Sequence, residues 1–173
     1  MSESNADFSL LCRIGTRLCA LPLQHVLETL RPLALARIVG APDHVMGVSL
    51  IRGIAQPVVN IARLLGENDA QVTRYVSLSV DGRRVALAVS EVLGTRALPR
   101  ETLQCLPPLL RHAGEQAIAA LGELDAELLL VLDSARLLPA ELLEEAAAPT
   151  EPDEETSQAD DGARQAATAE ARP

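Results

Sequence analysis

Between Gly47 and Gly66 the chain reads G-V-S-L-I-R-G-I-A-Q-P-V-V-N-I-A-R-L-L-G, and its hydrophobic pattern changes three times in those twenty residues. An apolar run, Val48 to Ile51, is broken by Arg52 and Gly53. The next run is β-branched at Ile54, Val58, Val59 and Ile61, which favours a strand. Pro57 lies inside it and has no N–H to give to a ladder, so it needs an edge or a bulge. After Asn60, a good N-cap, Ile61, Leu64 and Leu65 follow at one-face helical spacing, and Gly66 stands where a C′ glycine closes a short helix. The stretch therefore predicts strand, tight turn, kinked strand and short helix. An arginine between Ile51 and Gly53 must reach water or find an anion, and Gly53 implies a positive φ or a close backbone approach.

The flanking sequence continues the short-strand pattern. Residues 7 to 23 predict a hairpin whose turn centres on Gly15-Thr16 or on Thr16-Arg17; either register puts Cys12 and Cys19 on one face. Two buried, small apolar residues is the plain reading of that pair, and a redox pair is the sharper one. Pro22 then starts a predicted short helix, with Leu23, Val26, Leu27 and Leu30 along one side and Glu28 facing away. A strand over 34–39 leads to the turn cluster Gly40-Ala41-Pro42-Asp43. Val76, Leu78 and Val80, then Asp81-Gly82, then Val85, Leu87 and Val89 give the clearest hairpin in the chain. Its second face, Ala86, Ala88 and Ser90, is small rather than charged, so something can pack there too. Residues 101–117 read as loop. A last strand pair turns at Asp125-Ala126, and a closing helix over 134–143 is interrupted by Pro139.

Charge divides the chain. From Glu144 onward nine acidic residues face only Arg164 and Arg172, so that segment carries −7 of the net −9. Residues 1–143 are close to neutral, which argues against nucleic acid or an anionic membrane as partner. The final segment has too little apolar area to offset its ordering entropy and is expected to be disordered. The domain expectation is a tail over 1–6, one folded unit over 7–143 and the acidic tail over 144–173. The opening M-S-E-S-N-A-D is polar, and no apolar run approaches the eighteen or so residues of a membrane span, so a cytoplasmic protein without membrane insertion is expected. Aromatic residues make up 1% of the chain, which leaves little for base or sugar stacking.

The stretch from Gly47 resembles the G-V-x-N-L-R-G-x-I-x-P-V-I-D-L-R-x-x-L-G signature of the CheW family, adaptors of bacterial chemosensory arrays. Upstream, Val26, Glu28, Ile38, Pro42, Val45, Gly47 and Val48 fall on family positions, and the likeness spans roughly Phe8 to Leu138. Leu50, Asn60, Ala62 and Ser90 depart from the family's Asn, Asp, Arg and Asp. The resemblance implies a mainly β fold of two small SH3-like five-stranded barrels sharing a hydrophobic interface, with short helices. It implies an adaptor between the cytoplasmic tip of a methyl-accepting chemoreceptor and the regulatory domain of a CheA-type histidine kinase. Val26, Glu28, Gly47, Arg52 and Gly53 are the partner-binding residues it implies. The departures keep a scaffold of a pilus-type or other specialised chemosensory pathway in play. A small β-barrel regulator that senses a ligand, or redox state through Cys12 and Cys19, is the alternative from another class.

No catalytic constellation stands beside these motifs. His25, His44 and His112 lie on separate segments without metal spacing, and no glycine-rich loop carries a lysine to cradle phosphate. No enzyme activity, metal or cofactor is therefore expected.

Overall fold

The computed structural model describes residues 6–67, 70–107 and 117–137. The acidic tail from 144, the N-terminal tail short of Ala6 and the closing helix beyond Leu137 lie outside the described residues. Eleven strands occur in the described part: β1 (Ala6–Ile14), β2 (Arg17–Pro22), β3 (Val26–Leu30), β4 (Val45–Ile51), β5 (Ile54–Asn60), β6 (Arg74–Val80), β7 (Arg83–Val89), β8 (Glu91–Pro99), β9 (Gln104–Cys105), β10 (Ile118–Leu124) and β11 (Glu127–Leu132). One four-residue helix, α1 (Ile61–Leu64), and 3₁₀ turns at Leu23–His25, Arg100–Thr102 and Ser134–Leu137 complete them.

The strands form two sheets, as a pair of small barrels requires. One runs β8-β1-β2-β11-β10-β9 and the other β3-β6-β7-β5-β4. The first carries the two-residue β9 beyond the five strands expected. Each sheet has one parallel pair, β2 with β11 and β5 with β7, and every other neighbour is antiparallel.

Strand alternation explains the core. Cys12, Ile14, Cys19 and Leu21 from the first sheet meet Val76, Leu78, Val85, Leu87 and Val89 from the second in one cluster, which Ile61, Leu65 and Leu137 also enter. Each Leu or Val buried there contributes on the order of 1.5–3 kcal/mol of transfer free energy. The opposite faces fill separate interiors. Leu11, Leu18, Ala20, Leu98 and Leu129 line one, and Ile51, Val58, Tyr75, Ala86 and Ala88 the other. The small second face of the β6–β7 hairpin is thus explained: Ala86 and Ala88 leave room for the Tyr75 ring inside the barrel.

Three local expectations are corrected. The helix from Leu23 to Leu30 is a 3₁₀ turn, Leu23–His25, followed by β3, and its inside–outside pattern has period two. No side chain caps the turn, and the backbone of Val26–Leu30 pairs instead with Tyr75–Leu78 of β6. Ladder bonds along a whole strand outweigh a weak local helix preference. The strand over 34–39 reduces to a single bridge, Ala36 with Val48. Within 101–117 the chain forms the end of a 3₁₀ turn and β9, while 108–116 lie outside the described residues. Pro57 sits in β5, an interior strand, but the pairing with β7 covers only Val58–Asn60. At Pro57 the strand has β4 alone as a neighbour, so its missing N–H breaks no second ladder.

Candidate functional site

The two-residue loop between β4 and β5 is closed by the Ile51–Ile54 pair. Arg52 has φ 52° and Gly53 φ 77°, the two positive values of a type I′ turn, whose twist matches that of the flanking strands. Asn, Asp or Gly is the inexpensive first residue of such a turn, because a longer side chain gains nothing from the left-handed conformation. Arginine at this position is therefore explained by what its side chain does.

Its guanidinium grips Glu28 of β3. Arg52 Nε donates to both Glu28 oxygens at 3.3 and 3.2 Å, and Nη2 donates to Oε2 at 3.0 Å. The hydrogen bond, and after it the charge of Glu28, raise the Arg52 pKa above its ordinary value. In sheet order β3 and β4 are the two outer strands, so this pair ties one edge of the sheet to the hairpin at the other. The Arg52 side chain is nevertheless 77% exposed, and an ion pair so open to water adds little to stability. Its Nη1 has no partner among the described residues. The arrangement holds a cation in a fixed orientation with donors still free.

Around it, Leu50 is 65% exposed and Ile54 40% exposed on the same hairpin. Val26 is only partly covered and packs on the main core. Gly47 is buried within β4, and a Cβ there would collide with the Ala36 carbonyl oxygen. Its glycine is demanded by the bridge to Ala36. Gly53 has open space around it, so only its φ calls for glycine.

Of the four departures from the resembled signature, three serve the interior. Asn60 is buried and caps α1, its side chain accepting from Arg63 N at 3.2 Å. Ala62 is buried in the main core. Ser90 Oγ accepts from Gly15 N at 3.0 Å while its own N–H donates to the Arg13 carbonyl at 2.9 Å, fastening the β1–β2 turn to the end of β7. Only Leu50 changes the outer surface.

Cys12 and Cys19 face each other across β1 and β2, both fully buried and free. Burial pushes each thiol up to about 12. Among the described residues no group of three or more His, Cys, Asp or Glu could hold a metal ion. No described helix is long and apolar enough to cross a membrane.

Sequence spacing did not bring Glu28 and Arg52 together; twenty-four positions separate them and no local signal pairs them. It also passed over Arg83 and Arg84, which follow the Asp81-Gly82 turn and are exposed.

A family model described as a CheW-like domain matches residues 9–142. Protein FrzA of Myxococcus xanthus is 35% identical over 101 residues, which make up 57% of this chain and 62% of that protein. The chain thus spans less than two thirds of that relative's length. Among solved structures, the scaffolding protein TtCheW from Thermoanaerobacter tengcongensis superposes with a TM-score of 0.68 at 16% identity, covering 76% of this chain and 92% of that one. At that identity the likeness is one of fold.

Proposed function

Because this chain belongs to the CheW-like family, the scaffolds and adaptors of chemotaxis-type signalling, we propose that it couples a methyl-accepting chemoreceptor to a CheA-type histidine kinase. In this reading the folded unit, 7–143, works in the cytoplasm, with neither catalysis nor a cofactor. The receptor tip and the kinase regulatory domain are its partners, and Val26, Glu28, Gly47, Arg52 and Gly53 define the surface that meets them. They do so unequally. Arg52 supplies the contact and Glu28 aims it. Val26 borders the surface from the core, while Gly47 and Gly53 shape the hairpin.

The observation that carries the proposal is Arg52 itself: a left-handed arginine in a turn that would close better with Asn, held by Glu28 and almost wholly exposed. Arginine anchors of this kind are enriched at interface hot spots. Titration of the receptor tip and of the kinase regulatory domain against wild type and Arg52→Ala tests it. A loss of about thirty-fold with an unchanged melting temperature is expected. Equal affinities would leave the site assignment without support. Val26→Asp needs both readouts, because lost binding together with lost fold would assign Val26 to the core alone.

Leu50 favours a specialised pathway, pilus-type or other, as the setting. It exposes an apolar side chain beside Arg52 where the signature has Asn, so the partner's facing surface should be apolar too. The redox-regulator alternative has little support, since a sensing thiol must be accessible and readily ionised, and Cys12 and Cys19 are neither.

A further inference from the structure

The parallel pairing of β5 with β7 has a consequence for charge. Both strands begin directly after a type I′ turn, and Val58 pairs with Ala86 near the same distance from each start. The two turns, Arg52–Gly53 and Asp81–Gly82, therefore lie at one end of the five-stranded sheet. That end carries Arg52, Arg83 and Arg84, all exposed. Arg83 and Arg84 have no ion pair among the described residues. Asp81 of the second turn is exposed at the same end and Glu28 holds Arg52, so the three arginines keep a net excess of one positive charge over these two acids.

The rest of the chain is complementary to it. Residues 26–90 contain seven arginines against five acidic residues, whereas residues 91–143 contain four against eight. The segment from Glu144 carries a further −7. The described chain ends at Leu137, which is buried in the main core, and its 3₁₀ turn packs against β6, a strand of the five-stranded sheet. The folded unit is expected to end at Leu143, and the eight steps from there to Glu151, at the head of the acidic run, reach about 27 Å when extended. The seven-residue strands of this sheet are about 23 Å long, so a tether of that reach permits contact, and tethering keeps the local concentration of acidic groups high.

We propose that the acidic segment 144–170 of the same chain occupies the rim formed by Arg52, Arg83 and Arg84 and competes there with acidic groups of a partner. The docking stands on charge and topology; its consequence, a screened adaptor site, rests on the function proposed above. Contact of this kind is electrostatic, fast to exchange and sensitive to salt.

The test uses the full chain, ¹⁵N-labelled, beside a full-length variant neutralised by Glu151→Gln, Asp153→Asn, Glu154→Gln, Glu155→Gln, Asp160→Asn and Asp161→Asn. At about 0.01 M ionic strength the two should differ in the amide resonances of residues 52–54 and 81–85. The difference should vanish near 1 M, as the Debye length falls from about 30 Å to about 3 Å. Arg83→Glu with Arg84→Glu in the full chain should abolish it as well, and tenfold dilution should leave it unchanged. Identical spectra at low salt, or differences confined to other residues, would overturn the docking. So would a difference that fades on dilution, since it would assign the acidic segment to a second copy. The neutralised variant should also bind the receptor tip several-fold more tightly at low salt. If docking is seen while Arg52→Ala leaves coupling intact, the docking stands and the adaptor site must be sought elsewhere.

Discussion

At Arg52–Gly53 the φ angles are 52° and 77°, and at Asp81–Gly82 they are 51° and 77°. Both turns close two-residue hairpins at the same end of the same sheet. The backbones are interchangeable, and the side chains are not. Asp81 is a residue that the turn itself selects, because a short polar side chain tolerates the left-handed region. Arg52 is not, and its guanidinium spans to Glu28 of another strand. A third turn, Asp125–Ala126, reaches φ 52° and 64° without any glycine. The three together separate what a turn needs from what a site needs. Turn geometry is generic enough to admit even Ala126, so what sets Arg52 apart is its grip on Glu28 and not its φ alone.

The largest expected effect lies behind the first turn, at Gly47. There a side chain would meet backbone that cannot yield, so Gly47→Ala should cost about 3 kcal/mol and lower melting temperature and coupling together. A melting temperature within a degree of wild type would mean that the bridge to Ala36 gives way easily. Arg52→Asn should leave the hairpin as stable as before or slightly more so, yet weaken coupling about thirty-fold, whereas Asp81→Asn should change neither. Matched binding curves for the two variants would dissolve the distinction drawn between the turns.

The second positions of the two turns, Gly53 and Gly82, share φ 77°. Alanine at either places a Cβ in open space, so Gly53→Ala and Gly82→Ala should each lose about 1 kcal/mol of stability to backbone strain alone. Only Gly53→Ala should also affect coupling, since only that turn carries the guanidinium. The smallest effect at neutral pH concerns the thiols. Cys12 and Cys19 should resist labelling until the protein unfolds, while exposed Cys105 reacts at once. Because the fold holds the Cys12 and Cys19 protons up to about 12 against an ordinary 9.0, the unfolded chain releases them first. Their contribution to stability is complete below pH 9 and is lost as pH rises from 9 toward 12. Urea denaturation on either side of pH 9 should show that decline, and Cys12→Ala with Cys19→Ala should flatten it.

Residue order alone determined the local elements wherever several signals agreed. The β6–β7 hairpin, with strict alternation on both arms and Asp-Gly between them, was legible down to its register. So were the β4–β5 turn and the cap of α1, where Asn60 and the glycine after Leu65 both spoke for a short helix. Tertiary structure decided where local signals were weak or ambiguous. Leu23 to Leu30 fits helical spacing on paper, but β6 needs a strand beside it, and pairing with a neighbour is invisible to periodicity. The candidate site was grouped by the resemblance, whereas the residues by themselves offered only separate signals. Arg52 stood out as a charge in an apolar hairpin and Glu28 as a polar residue on an apolar segment. What joins them is a side-chain contact between the two outer parts of one sheet, and what puts Arg83 and Arg84 at the same end as Arg52 is a parallel pairing between strands distant in sequence. Such long-range contacts follow from the burial of both faces of β6 and β7 at once, a condition met by the whole chain and by no stretch of it.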